Sequence, residues 1–257
     1  MSTFRVLQFN MQFAQGWATE APHQGEIDLD ATIAEIRRHH ADIILLQEVE
    51  RAQPAGEQLH PPPNYTRLRA GLGRPHGWFA YPKSDVRELP FGVGLAILSR
   101  TPLRNQTRLD LSSPPVGFEF EGRTLTPTDR LLIGAKTTIH DREVQLFNTH
   151  LLAFFMLGTS SKAHPAQRET VVREIAASSG PTILGGDFNV RDHADLIGQF
   201  GAAGFRSAQD QVPTWHREPY VLDHVFYNGA LRLVHQTVVP TTVSDHHVVI
   251  ADFELGS

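Results

Sequence analysis

The chain has 257 residues and a mass of 28.6 kDa, with 40% apolar and 20% charged residues, an ordinary globular balance that is long enough to bury a substantial core. It contains no Cys, which excludes disulfides, thiolate metal sites and a Cys nucleophile; its 14 His leave carboxylate, amide and imidazole groups as the donors for any metal chemistry. Its 23 Lys and Arg against 28 Asp and Glu, a formal charge of -5, argue against a protein that grips nucleic acid by bulk positive charge.

No apolar run approaches the roughly 20 residues of a membrane-spanning helix. The N-terminal MSTFRVLQFN lacks the charged lead and apolar stretch of a secretory signal, so a cytoplasmic location is expected. No internal repeat or low-complexity tract occurs. Pro61-Pro62-Pro63 and Pro114-Pro115 are too short to be linkers and are taken as rigid loop pieces, so a single domain over 1–257 is expected.

In chain order, Phe4 to Phe9 alternates apolar with polar residues and predicts a strand. Asp28 to His40 carries Leu29, Ile33 and Ile36 at helical spacing, with Asp28 or Asp30 as cap. Asp42 to Leu46 is nearly all apolar, as a strand buried on both faces would be. Gly92 to Leu98, Leu131 to Ile139 and Glu143 to Asn148 are further strands, the last two joined by a turn at Asp141-Arg142. Ser160 to Ser178 is expected as a helix with Pro165 in its first turn. Thr182 to Gly185, Val221 to Tyr227, Leu231 to Val239 and Val248 to Phe253 complete the strands, with a hairpin at Phe226-Tyr-Asn-Gly-Ala230. Hairpins mixed with strand-helix-strand units imply partly antiparallel sheets with helices outside.

The informative pattern is where the strands meet polar residues. Asn10 follows Phe9, Gln47-Glu48 follows Leu46, and Asn148-Thr149-His150 follows Phe147. Asp187-Phe188-Asn189 follows Gly185-Gly186, Asp223 follows Leu222, and Asp245-His246 follows Ser244. Such positions on one sheet edge converge, and ligand sites form there. In Gly185-Gly186-Asp187-Phe188-Asn189 the glycines would let the backbone bend. Asp187 and Asn189 would point the same way in extended chain, a carboxylate and an amide suited to a hard cation and a phosphate oxygen.

With these motifs in this order, the sequence resembles the endonuclease/exonuclease/phosphatase family of metal-dependent phosphoesterases. The motifs are Phe9-Asn10, Leu46-Gln47-Glu48-Val49, Leu98-Ser99-Arg100, Asn148-Thr149-His150-Leu151, Gly185-Gly186-Asp187-Phe188-Asn189, Leu222-Asp223-His224-Val225 and Ser244-Asp245-His246. The resemblance implies a DNase I-like, four-layer α/β/β/α sandwich of two mixed sheets. It implies a divalent-metal-dependent phosphoesterase, a phosphodiesterase or nuclease acting by in-line attack of activated water. Glu48 would be the principal metal ligand with Asn10 and Asp245 beside it; the ion would be Mg²⁺, with Mn²⁺ or Ca²⁺ as alternatives.

By the same resemblance Asp187 would orient or deprotonate the water. Asn189 would hold that water or a phosphate oxygen, and Asp223 would fix the tautomer of His246. His150 would contact the scissile phosphate or assist the leaving oxygen. The general base is Asp187 or the His246–Asp223 pair. The chain departs from family patterns at three places. His247-Val248 follows His246 where a Pro is often found two residues on. Trp215-His216-Arg217-Glu218 replaces the Trp-Cys-Asp-Arg run of inositol phosphatases. Tyr220-Val221 replaces the Arg that usually precedes the Leu-Asp motif of repair nucleases.

The substrate is a phosphate ester, with nucleic acid and phospholipid both open, and no partner protein is expected. Leu151 to Leu157 directly follows His150 and is wholly apolar. It is either internal packing or, with Phe91 and Tyr65, an apolar rim of the kind a sphingomyelinase-like enzyme would use. A catalytically silent binding module on this scaffold is the reading from another class.

Overall fold

Alternation along Phe4–Asn10 sets the frame. Val6, Gln8 and Asn10 face one way, Leu7 and Phe9 the other, and both faces are buried. A strand buried on both faces needs a second layer on each side, and the structure supplies them. The computed structural model describes residues 3–21 and 24–256. In chain order its main strands are β1 (Phe4–Asn10), β2 (Ile43–Gln47), β3 (His76–Ala80), β4 (Leu95–Ser99), β5 (Arg104–Leu111) and β6 (Arg130–Ile139), followed by β7 (Arg142–His150), β8 (Thr182–Asp187), β9 (Phe205–Ser207), β10 (Asp223–Asn228), β11 (Leu231–Val239) and β12 (Val248–Leu255). The helices are α1 (Leu29–Arg38), α2 (Pro63–Gly71), α3 (Ala166–Ala176) and α4 (His193–Ala202).

Two six-stranded sheets result, in the orders β11-β12-β1-β2-β4-β3 and β9-β10-β8-β7-β6-β5. Within them β1–β2 and β7–β8 run parallel and the other neighbours antiparallel, so both sheets are mixed. Val6, Ile43, Leu45 and Ile97 of the first sheet meet Ile133, Leu146, Ile183 and Val225 of the second in the central layer. Leu7, Phe9, Ile44 and Leu46 pack outward with Ile33 and Ile36 of α1 and Leu68 of α2. Phe147, Leu184 and Phe226 pack outward with Val171 and Ile175 of α3 and Leu196 and Phe200 of α4. Each such fully buried side chain contributes about 1.5–3 kcal/mol. The architecture is the expected α/β/β/α sandwich.

Several local expectations are corrected. The predicted helix over 160–178 begins only at Ala166, because Pro165 serves as its N-cap and residues before it form turns. Gly94, at φ 83°, splits the predicted strand over 92–98 into two. The turn between β6 and β7 centres on His140 and Asp141, both at positive φ, one residue earlier than expected. Phe226 to Ala230 is no hairpin, since β10 lies in the second sheet and β11 in the first. Pro63 opens α2 and is not a loop residue.

Candidate active site

Parallel pairing aligns the C-terminal ends of β1 with β2 and of β7 with β8: Asn10 sits opposite Gln47, and His150 opposite Asp187. β10 runs antiparallel to β8, so its first residue, Asp223, lies opposite Asp187 at the same edge. β12 runs antiparallel to β1, and Asp245 and His246 just before it reach that edge too. Inner-face alternation then turns the apolar layer polar at this end. Gln8, Asn10, Gln47, Asn148, Asp187 and Asp223 are all at most 1% exposed between the sheets.

The side chains form one connected cluster. His246 Nδ1 donates to Asp223 Oδ2 at 2.7 Å, and Gln8 donates to Asp223 Oδ1 at 3.0 Å. Asn10 Nδ2 donates to Glu48 Oε1 and to Asp187 Oδ2, each at 3.0 Å. His150 Nε2 lies 3.5 Å from Asp187 Oδ2 and 3.9 Å from Glu48 Oε1, and His246 Nε2 lies 3.7 Å from Asp187 Oδ2. The two His candidates separate: His246 faces this cluster, whereas the backbone N–H of His247 donates to the Thr214 carbonyl and its ring abuts His216. Asn189 sits at φ 51°, so it does not continue the extended chain of Asp187 as expected. Its backbone N–H donates to Asp187 Oδ1 at 3.0 Å, and its amide donates to the Leu151 carbonyl at 3.0 Å.

Gly185 and Gly186 lie within β8 at ordinary φ and do not bend it. They permit close approach. A Cβ on Gly185 would meet Leu45 Cδ1 of the other sheet at 2.5 Å, and one on Gly186 the Thr149 carbonyl oxygen at 2.4 Å. Gly92 does the same for Glu48, whose Cβ would stand 2.3 Å from any Cβ placed there. Glu48 itself is at φ 49°, a turn that follows the end of β2.

Sequence reasoning missed several members. Gln12, Phe13 and Ala14 all have positive φ, a costly conformation that carries the Gln12 amide to the Asp245 backbone N–H (3.2 Å). Trp215 Nε1 and Arg217 Nε both donate to Asp245 Oδ2, at 3.2 and 3.1 Å. The Arg217 guanidinium stands over the rings of Trp17 and Trp215. Gln47 donates to Asn148 at 2.7 Å, and Asn148 donates to the Leu46 and Ala96 carbonyls, which ties the sheets together beneath the site.

Electrostatics follows from burial. Burial, reinforced by Asp245, pushes the Glu48 carboxyl up to about 7. Burial also raises Asp187, with Asp223 adding to it, and the nearby His246 opposes the shift. Burial holds His150 well below its usual value and would lower His246 too, but Asp223 and Asp187 overcome it and hold His246 well above. Crowded, buried oxygen donors of this kind suit a hard cation, which would relieve their mutual repulsion. Asp187, Asp223 and His246 lie within 4.8 Å of one another, the spacing of a metal triad. His246 Nδ1 and the fully buried Asp223 already satisfy each other, whereas Glu48 takes a hydrogen bond from Asn10 and stands at the more open end, so a cation fits better at Glu48. Glu48 at 18% and His150 at 12% side-chain exposure mark the mouth of the cluster.

The apolar stretch divides. Leu151, Leu152 and Phe154 are buried, while Met156 is 67% exposed. Phe155 edges onto Trp215 and Tyr220, both at 5.9 Å between centroids. Tyr65 packs on Phe79 and lines a separate groove of about 530 Å³ that includes none of the cluster's residues. Phe91, 47% exposed, abuts Phe120.

Two facing mixed sheets, with a buried carboxylate, amide and imidazole cluster at the ends of their parallel pairs, define a DNase I-like phosphoesterase fold. The chain belongs to the Endonuclease/Exonuclease/phosphatase family, whose model matches residues 7–246. A 122-residue stretch is 34% identical to the UPF0294 protein YE0917 of Yersinia enterocolitica, covering 45% of this chain and 45% of that protein. The match thus spans under half the length of this curated relative. Among solved structures, an endonuclease/exonuclease/phosphatase from Beutenbergia cavernae superimposes with a TM-score of 0.73 at 23% identity, over 100% of this chain and 72% of that one. The human Nocturnin catalytic domain with bound sulfate anion superimposes with a TM-score of 0.66 at 19% identity, over 98% of this chain and 94% of that one. These structural likenesses are ones of fold.

Proposed function

We propose that the protein is a divalent-metal-dependent phosphodiesterase whose reaction is in-line hydrolysis by an activated water. The observation that carries this reading is the single buried cluster in which Asn10 bridges Glu48 and Asp187 while Asp223 holds His246. Glu48, Asn10 and Asp245 would hold the cation, Mg²⁺ or Mn²⁺, which when bound neutralises charge on the phosphate and leaving oxygen. Asp187 Oδ2, raised by burial and facing the cluster, takes the proton of the attacking water; a raised carboxyl is the stronger base. Asp223 fixes Nδ1 of His246 as donor and keeps the imidazolium, directing positive charge at the site. His150, held neutral, offers Nε2 to a phosphate oxygen.

For the substrate, the wall beside His246 favours a nucleic acid. Trp215 lies 6.3 Å from His246 and is joined by Tyr220 and Phe155, with Arg191 over Tyr220 at 4.9 Å. Aromatic faces with guanidinium groups suit stacked bases. A lipid rim has only Met156 as an exposed member of the 151–157 stretch. The test is a panel of a short single-stranded oligonucleotide, bis-p-nitrophenyl phosphate and sphingomyelin vesicles, each with Mg²⁺, Mn²⁺ or EDTA. Metal-dependent cleavage of the first two, abolished by Glu48→Ala, is expected. Cleavage of the vesicles alone would reverse the substrate assignment, and no cleavage of any would refute the reading.

A further inference from the structure

Three consecutive residues other than glycine, Gln12, Phe13 and Ala14, stand at φ 43°, 44° and 68°. That region is costly for side chains, and for a bulky ring such as Phe13 above all, so the surroundings must hold the turn there. What holds it are the three groups that would take the cation. The Gln12 backbone N–H donates to Asn10 Oδ1 at 3.1 Å, and the Gln12 side-chain oxygen accepts from the Asp245 backbone N–H at 3.2 Å. The Phe13 backbone N–H donates to the Glu48 carbonyl at 2.7 Å.

Each contact fixes something different. With Oδ1 engaged by Gln12, the Asn10 amide turns its nitrogen to Glu48 and Asp187. The bond from Phe13 secures Glu48, itself at φ 49°, in its own unfavourable conformation. Asp245 is held from two sides, its carboxylate by Trp215 and Arg217 and its backbone by Gln12, which lies 233 residues away in sequence. The buried Phe13 ring, with the Arg51 guanidinium over it, anchors the turn. Strain that persists only because several partners over-determine it is a means of preorganising a site.

We propose that Gln12 is a positioning residue that locks Asn10, Glu48 and Asp245 into one cation-binding set, through its side chain at Asp245 and through its strained turn at the other two. The proposal rests on the metal-binding part of the reading above. Gln12 acts through these three groups and is itself neither a ligand of the cation nor a contact of the substrate.

Calorimetric titration of Mn²⁺ into the metal-free protein reads the set without any turnover. Gln12→Asn suits this test, because Asn is at home at positive φ and keeps the turn, while its amide is one methylene too short for Asp245. It is expected to bind Mn²⁺ about tenfold to a hundredfold more weakly than wild type, with its melting midpoint in EDTA nearly unchanged. A merely structural role would lower that midpoint and leave the affinity alone. Gln12→Glu keeps the acceptor at full reach and is expected to bind Mn²⁺ at least as tightly as wild type. On the cleaved substrate, saturating Mn²⁺ should restore most of the kcat that Gln12→Asn loses at low Mn²⁺. Should Gln12→Asn fail to fold, Gln12→Met, of full length without the acceptor, takes its place with the same expectation. Equal Mn²⁺ affinity in wild type and the shortened or acceptor-free variant, or weaker binding by Gln12→Glu than by wild type, would overturn the proposal and leave the hydrolase reading in place. No Mn²⁺ binding by wild type would overturn both. Mn²⁺ binding that depends on Gln12, with no substrate of the panel cleaved, would leave this assignment standing and sink the hydrolase reading.

Discussion

Gln8 donates to Asp223 across the two sheets at 3.0 Å, from 215 residues away in sequence. The same amide nitrogen donates to Gln47 at 2.7 Å. Gln8 thus fixes one Asp223 oxygen while His246 takes the other, so the orientation of the imidazole depends on a residue with no chemistry of its own. Gln8→Ala is expected to lower kcat/KM about tenfold to a hundredfold, as removing an outer partner of a catalytic group does. It should also cost about 1–3 kcal/mol of stability, because the buried oxygens of Asp223 and Gln47 lose a donor. Steady-state kinetics and urea unfolding check the two effects separately.

Glu48 carries opposite expectations for stability and activity. Burial and Asp245 both disfavour its charge, so in the absence of metal the carboxylate destabilises the fold. Glu48→Gln keeps the shape and can still accept from Asn10. In EDTA its thermal midpoint should rise by a few degrees, corresponding to about 1 kcal/mol. With Mg²⁺ or Mn²⁺ it should lose both the metal-induced stabilisation and about two to three orders of magnitude in activity. Melting curves with and without metal decide; a lower midpoint in EDTA would show that the carboxylate is not under electrostatic strain.

The site was readable where chemistry sits in consecutive residues. Asn10, Glu48, His150, Asp187, Asp223 and His246 each adjoin an apolar run, and the sheet registers bring those runs to one edge. What stayed hidden depends on pairing between distant segments. Nothing near Gln8 in sequence shows that it meets Asp223, and nothing near Arg217 shows Asp245. Phe226 to Ala230 misled because an Asn-Gly signal marks a tight turn without saying whether the next strand joins the same sheet. The helix α4 had a readable cap in Asp192, which accepts from the Asp195 backbone N–H at 3.2 Å. In α2 the Pro triplet concealed a start, since Pro63 is tolerated in a first turn.

The two glycines of β8 should differ in tolerance. A methyl on Gly185 meets the end of the Leu45 side chain, which can shift rotamer; one on Gly186 meets the Thr149 backbone carbonyl, which the β7–β8 ladder holds in place. Gly185→Ala is expected to cost about 1–3 kcal/mol, and Gly186→Ala more. Chemical denaturation of the two variants reads the order directly, and a reversed order would mean that the sheet separation, not the strand spacing, is the tighter constraint.

His224 sets an acid limit on stability that is independent of catalysis. It faces away from Asp223 on β10, wholly buried, stacked on Phe226 with Nε2 donating to the Val221 carbonyl. Burial lowers its folded-state value from 6.5 to about 4. The unfolded chain therefore binds the extra proton between these limits, and stability falls as pH is lowered through that window. The full loss is about 3 kcal/mol for a shift of this size. It fades above pH 6.5 as the unfolded-state imidazole also becomes neutral. His224→Gln removes the titrating group. Its unfolding free energy, measured in urea from pH 7 down to pH 4, should fall less steeply than that of wild type, even if its stability at pH 7 is lower. Parallel pH profiles for the two proteins would assign the acid limb to other groups.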